Sequence, residues 1–439
     1  MRTPCKLMLA PVAAFLLATA LPAQDASELL NRMKAMEDRI HALENEVQTL
    51  KAQQAPAAAL QPQPAPVAPQ PVPLPSVDTA SLGGAGGAAA KVLNPDISVI
   101  GDFIGAVGSH GGRPTPSLEM HESEVGFQEV IDPYARADFF ISFGEKGVNL
   151  EEGYITFTAL PAGLQLKAGK MRAAFGRVNT THNHVLPWID RPLVTQNLVG
   201  GEDGINDAGL SLSRILPAPK GLFLEGIAQV FRGDSDGVFS AIRRTNVSAV
   251  GHLHGYHDIS ESTNIDFGAS YARGHSPFAD ASNQLYGLDA TFHWKPLRRA
   301  IYHSFIARSE FIWARTNVDS PGQIRSLAKP FGFYVAGDYQ VGRRWMFGAR
   351  FDRSQRGNCL PTIPETTAPC VNDLDTEARF RNFTLRQDTG GSILLTYLPS
   401  EFSLIRTQFR RARYGEGLTA NELLFQFQFS MGAHGAHPF

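Results

Sequence analysis

From Asn94 onward, hydrophobic and polar residues alternate in short runs with a period of two. The last run, Asn421 to Met431, shows it most plainly. Leu423, Phe425, Phe427 and Phe429 take one face; Leu424, Gln426, Gln428 and Ser430 take the other. Period two sends successive side chains to opposite faces of a β-strand. Bulky apolar residues on one side and amides on the other suit a strand with lipid outside and water inside, although the edge strand of a soluble sandwich alternates in the same way. Other runs weigh against the sandwich. Ala135, Ala137, Phe139, Ile141 and Phe143 alternate with Arg136, Asp138, Phe140 and Ser142. Phe305, Ala307, Phe311 and Trp313 alternate with Arg308 and Glu310; Trp345, Phe347, Ala349 and Phe351 alternate with Arg350 and Asp352. Charges of both signs thus share the polar face, where a dry sandwich core would not hold them. Aromatic residues gather near strand ends, as an interfacial girdle requires.

The pattern predicts an all-β, transmembrane antiparallel β-barrel of about 16 strands over residues 94–439. The strands are expected near 96–107, 118–131, 134–143, 150–159, 163–171, 207–215, 221–231, 246–258, 264–273, 284–294, 304–315, 331–341, 343–353, 385–397, 403–413 and 421–431. Connections alternate in length. Long ones (172–206, 232–245, 316–330, 354–384) follow odd strands, and short ones such as Asp132-Pro133 and Gly342 follow even strands. Bacterial outer-membrane barrels have long outer loops and short periplasmic turns. The segment 144–149 is the exception, short where length is expected.

The first 93 residues read differently. Residues 1–23 carry Arg2 and Lys6, an apolar stretch from Leu7 to Leu21 and small residues around Ala20 and Ala23, the pattern of a secretory signal. A helical membrane anchor is the competing reading. Over residues 24–54, Leu29, Met33, Met36, Ile40, Leu43, Val47 and Leu50 recur at spacings of 4 and 3, the seam of a short α-helical coiled coil. Arg32 with Glu37, Arg39 with Glu44, and Glu46 with Lys51 would pair between parallel copies, and β-branched residues in the seam lean towards a dimer. A lone amphipathic helix on the barrel is the competing reading. Residues 55–93 form a Pro/Ala/Gly-rich linker, with eight prolines between 55 and 75.

Composition narrows the classes. No run after residue 25 reaches the roughly 18 apolar residues a membrane helix needs, so a membrane-spanning mature chain would be a barrel. The net charge of −2 argues against a nucleic-acid partner, and three cysteines are too few for a disulfide framework. Cys359 and Cys370 fall in one outer loop, where an oxidising exterior favours a structural disulfide.

Several stretches carry a family likeness: Asn94 to Phe103, Asp132 to Phe140, Leu164 to Gly176, Trp188 to Arg191 and the tail Gly432 to Phe439. Together they resemble a porin-like family of exported bacterial outer-membrane barrels, related at a distance to the phosphate-selective porins. That group is also similar in having a coiled-coil amino terminus. The resemblance implies a trimer-forming, water-filled barrel whose long segment after the fifth strand can fold inward. It assigns no solute. Phe439 resembles the terminal assembly signal of outer-membrane proteins, but here Pro438 precedes it and the aromatic strand ends eight residues earlier.

Candidate chemistry centres on the segment from Arg172 to Asn206, with Arg172, Arg177, His182, His184, Asp190, Arg191, Glu202 and Asp203. Folded into the lumen, these charges would form the pore constriction and set selectivity; folded over the rim, they would be an ordinary outer loop. Expected lumen charges include Arg136, Lys167, Arg308, Glu310, Arg350, Asp352, Arg406 and Arg410, with no ladder of one sign. Arg410, Arg411 and Arg413 read as one basic cluster. His252, His254 and His257 are weak metal candidates, since no zinc-site spacing is present. No cofactor and no catalytic residues are assigned.

The expected function is a channel for passive diffusion of small solutes in the outer membrane of a Gram-negative bacterium, with the N-terminal segment in the periplasm. Expected partners are outer-membrane lipid and further copies of the chain. The alternative is a structural barrel tethered through its coiled coil to peptidoglycan or a periplasmic partner. Metal-related uptake and a barrel hydrolase fit less well: the first would need a folded plug before the barrel, and no spacing singles out a nucleophile with its base.

Overall fold

Each period-two run becomes a strand, because alternation satisfies two solvents at once while neighbouring strands pair every backbone group. The structure is a computed structural model, and it describes residues 95–110, 115–145, 147–235, 237–277, 279–318, 326–357, 385–415 and 417–432, together with Lys34. The signal segment, coiled coil, linker, terminal Phe439 and both Cys359 and Cys370 lie outside the described residues.

In chain order the strands are β1 (Asp96–Ser109), β2 (Leu118–Asp132), β3 (Ala135–Gly144), β4 (Gly147–Leu160), β5 (Leu164–Arg172), β6 (Asn206–Ile215), β7 (Leu222–Phe231), β8 (Ser248–Ser260) and β9 (Thr263–His275). They continue as β10 (Ser282–Trp294), β11 (Ser304–Val318), β12 (Ser326–Ala328), β13 (Phe331–Gln340), β14 (Trp345–Gly357), β15 (Leu385–Ser400), β16 (Ser403–Arg413) and β17 (Thr419–Gly432). Consecutive strands pair antiparallel, and β1 closes the ring on β17, from Ser98 opposite Gly432 to Ser109 opposite Asn421. β12 pairs only with the outer end of β11, and β13 takes the next place in the ring, so sixteen strands form the barrel. Every predicted strand overlaps one of them. The barrel strands generally run longer than the apolar runs alone suggest, since their outer ends are polar and carry no alternation signal.

The faces fall as the alternation requires. Phe347, Phe351, Leu423 and Phe427 are exposed on the outer wall, while Arg350, Asp352, Leu424 and Gln426 are buried within. Aromatic contacts mark both margins: Trp345 with Tyr397 at the inner ends of β14 and β15, and Trp313 with Phe331 at the outer ends of β11 and β13. The expected basic cluster splits by the same rule. Arg410 is buried in the lumen, whereas Arg411 and Arg413 stand exposed on the outside. Adjacent residues of a regular, unbulged strand point to opposite faces.

Candidate functional site

The long segment after β5 lies inside the barrel, because it has its own apolar face. Phe175, Val178, Leu186, Trp188, Val194 and Ile205 pack with Val250, Ala272, Leu285, Ile312, Tyr334 and Leu394 of the wall in one buried cluster. Burying each such large side chain is worth about 1.5–3 kcal/mol. Trp188 meets Tyr334 edge to face at 5.1 Å and lies 5.0 Å beneath the Arg350 guanidinium.

Local chemistry holds the loop in shape. Asn179 ties its two legs together, donating from Nδ2 to the carbonyls of Ala173 and Ile205 and accepting from the Ile205 N–H. Arg191, buried, donates to Asn183 Oδ1 and to the carbonyls of Val178 and Thr181. Pro187 and Pro192 keep the preceding residues out of helix, so the loop holds only a short 3-10 turn (Asn183–Val185) and a six-residue helix, α1 (Leu193–Leu198). Gly176, at φ +60, and Gly204, at φ +64, are left-handed, and an added Cβ would strike the Glu310 carboxylate or Asn179 Oδ1 respectively.

Two sectors of charged wall anchor this loop. The basic sector takes Asp190. Arg350 Nη2 lies 3.0 Å from both carboxylate oxygens, Arg410 Nη1 donates at 2.9 Å and Gln408 Nε2 at 2.5 Å. Burial opposes the Asp190 carboxylate, but Arg350 and Arg410 outweigh it and hold its pKa below the ordinary 3.8. Asp352 and Glu422 give Arg350 and Arg410 their second carboxylates, and Arg406 donates to the Leu186 carbonyl.

The acidic sector takes the other side. Asp102, Glu119, Glu122, Glu124, Glu151 and Glu152 of β1, β2 and β4 are all buried. Two β-bulges gather them. Register slips between Asp102 and Phe103 leave His121 as the extra residue beside Glu122, and slips between Phe140 and Ile141 leave Glu151 extra beside Glu152. A bulge re-aims a side chain, so consecutive polar residues turn inward together. Arg172 pairs with Glu151 at 3.0 Å. His182 bridges Glu124 and Glu152, with each ring nitrogen 2.7 Å from a carboxylate oxygen. Burial works against its imidazolium, but the hydrogen bonds to Glu124 and Glu152 outweigh it and raise the pKa from 6.5 to about 10.

Of the predicted constriction residues, Arg172, His182, His184, Asp190 and Arg191 are therefore buried or nearly so in the loop's own anchoring. Arg177 turns towards water, its side chain 39% exposed and 3.5 Å from Asp266. Glu202 and Asp203 are exposed, and their carbonyls accept from Arg172. Among the predicted lumen charges, Arg308 pairs with Asp338 and Arg136 with Asp138, while Lys167 lies 4.6 Å over the Tyr154 ring. Glu310 is buried and accepts from the Arg177 N–H. His252 and His254 share the lumen face, bonded to Ser270 and Asp266; His257 bonds the Gly221 carbonyl from the opposite face. Sequence reasoning missed Glu122, Glu124 and Glu151. The signals were the Glu122-Ser-Glu124 alternation and the Glu151-Glu152 pair, which breaks period two.

Cavities flank the loop. An outer one of about 220 Å³ is lined by Glu119, Glu122, Glu151, Arg172 and Asn183, and an inner one of about 390 Å³ by His184, Leu186, Arg344, Arg406 and Gln428.

No family model matches the chain. A relative from Aquifex aeolicus (strain VF5), described as an uncharacterized protein, is 28% identical over 404 residues, 80% of this chain and 81% of that protein. Among solved structures, OprB of Pseudomonas putida matches with a TM-score of 0.51 and 10% identity over 79% of this chain and 96% of that chain. The outer membrane channel DcaP of Acinetobacter baumannii matches at 0.50 and 12%, over 80% of this chain and 100% of that chain. Salmonella typhi OmpF, in complex with daunomycin, matches at 0.50 and 8%, over 77% and 97%. The likeness is one of fold: the chain has the fold of outer-membrane porins.

Proposed function

We propose that this protein is an outer-membrane channel for passive diffusion of small solutes, with the 172–206 loop as its constriction and the N-terminal segment in the periplasm. The observation that carries the reading is a charged loop fastened across the lumen to both an acidic and a basic sector of wall. Such a loop narrows a barrel while keeping polar groups on the remaining path, and charges at a constriction decide which ions pass. The basic sector is internally matched, four arginines to four carboxylates: Arg350 and Arg410 share Asp190, Asp352 and Glu422, and Arg308 and Arg406 stand by Asp338. The six acidic-sector carboxyl groups outnumber the bases that stand at ion-pair distance from them, Arg172, His121, His182 and His184. The excess is negative, so the channel prefers cations.

The refolded protein in planar bilayers, under a salt gradient, tests this. Stepwise conductance with a cation-selective reversal potential is expected. Anion selectivity would overturn the charge argument. Three equal, coupled steps would favour a trimer over the dimer that the heptad suggests. The apolar packing of the loop inside the lumen favours a second reading, a plugged structural barrel tethered through its N-terminal helix; a folded but silent barrel would select it.

A further inference from the structure

We propose that His182, His184 and Glu124 form a binding site for a divalent transition-metal ion of the zinc class, which straps the lumen loop to the acidic sector. One ligand atom from each lies within 4.8 Å of the others, and all three residues are buried. The Glu124 carboxylate is 2.7 Å from His182 Nδ1 and 3.7 Å from His184 Nδ1, and the two rings meet at 72° with centroids 5.7 Å apart. Ligands of a tetrahedral zinc ion sit about 2.0–2.2 Å from the metal, hence about 3.4 Å from one another. Opening the His182–Glu124 contact by less than about 1 Å would bring that pair to this spacing, and the His184–Glu124 separation is already close to it.

His182, extended just before the 3-10 turn at Asn183–Val185, and His184 within it meet ring to ring beside the Glu124 carboxylate. Two imidazoles with a carboxylate favour zinc and its late first-row neighbours over calcium or magnesium, which take oxygen sets. A second observation points to a ligand. Glu122 is 7% exposed, and its Oε2 has no hydrogen-bond partner among the described residues, although the carboxylates of Glu124 and Glu151 lie within 4.8 Å of its own. A buried carboxylate oxygen left without a partner, among other carboxylates, is costly. Glu124 belongs to both groups, so a cation bound there would lower the cost of the carboxylates gathered around it. A metal held by His182 Nδ1 and Glu124 would stand where those two atoms now meet directly, leaving the Nε2 contact with Glu152 in place.

The site goes beyond the channel reading and is tested without current. The full-length protein, refolded in detergent and stripped of metal, is titrated with Zn²⁺ by calorimetry, with heat-modifiable gel mobility as the check on folding. About one Zn²⁺ per chain is expected at this site. His184→Gln and Glu124→Gln should each weaken it by at least roughly tenfold, while the His252→Ala/His254→Ala variant should bind as the parent does. His184→Gln is the deciding variant, since it leaves the His182 bridge to Glu152 in place. Absence of Zn²⁺ binding, full affinity in His184→Gln, or displacement of Zn²⁺ by millimolar Ca²⁺ would overturn the proposal. Zinc binding by a barrel that passes no current would uphold this site and reject the channel.

Discussion

Replacing Asp190 with alanine removes the loop's anchor on the basic sector. The carboxylate accepts from Arg350, Arg410 and Gln408 at 2.5–3.0 Å, and its side chain is only 11% exposed. Removing one partner of a buried ion pair costs about 3–5 kcal/mol. Arg350 keeps Asp352 and Arg410 keeps Glu422, so the lower end applies, about 3 kcal/mol. At 1.4 kcal/mol per decade, the ratio of docked to undocked loop falls roughly a hundredfold. The assay is amide hydrogen exchange across residues 186–198 of the folded barrel in detergent, read beside single-channel conductance. Exchange in that segment should quicken by about two orders of magnitude, and the conductance should rise and grow noisier. Asp190→Asn, which keeps the hydrogen-bond acceptor but not the charge, should fall between. Unchanged protection in the alanine variant would refute the idea that this ion cluster, rather than the apolar face around Trp188, holds the loop in place.

Three further outcomes follow from the same structure. Gly176→Ala puts a Cβ into the Glu310 carboxylate at a left-handed φ of +60; it should loosen the first turn of the loop by about 1–3 kcal/mol, read as faster exchange at residues 174–180. Phe351→Arg places a charge on the outer wall midway along β14, where its aromatic ring is 47% exposed; unfolding from lipid vesicles should show a loss of about 2–4 kcal/mol, and a neutral result would contradict a lipid-facing wall. Acid should release the basic-sector anchor. The Asp190 pKa is depressed, so its contribution is complete above the ordinary 3.8 and is lost as pH falls through the lower folded value. Trp188 fluorescence should therefore hold steady from neutral pH to about 4 and change only below it.

The barrel was legible because membrane and water impose the same rule on every strand: one face apolar, one face polar, reversed at each residue. Sixteen strands, their order, the turns of alternating length and the inward set Arg308, Glu310, Arg350, Asp352, Arg406 and Arg410 all follow from that local rule. It holds within a dozen residues, and a dozen residues are enough to display it.

Only the closed barrel decided the rest. The 172–206 segment alternates with neither period, so its choice of lumen over rim rests on contacts with β8 to β16 that lie far away in sequence. The separation of signs into two sectors depends on which strands become neighbours, and a tally of inward charges averages it away. The acidic sector depends besides on two bulges, where the register slips by one residue and Glu151 and Glu152 both turn inward. A bulge is a bargain between two strands. Its residues look like interruptions until the partner strand shows where the extra side chain points.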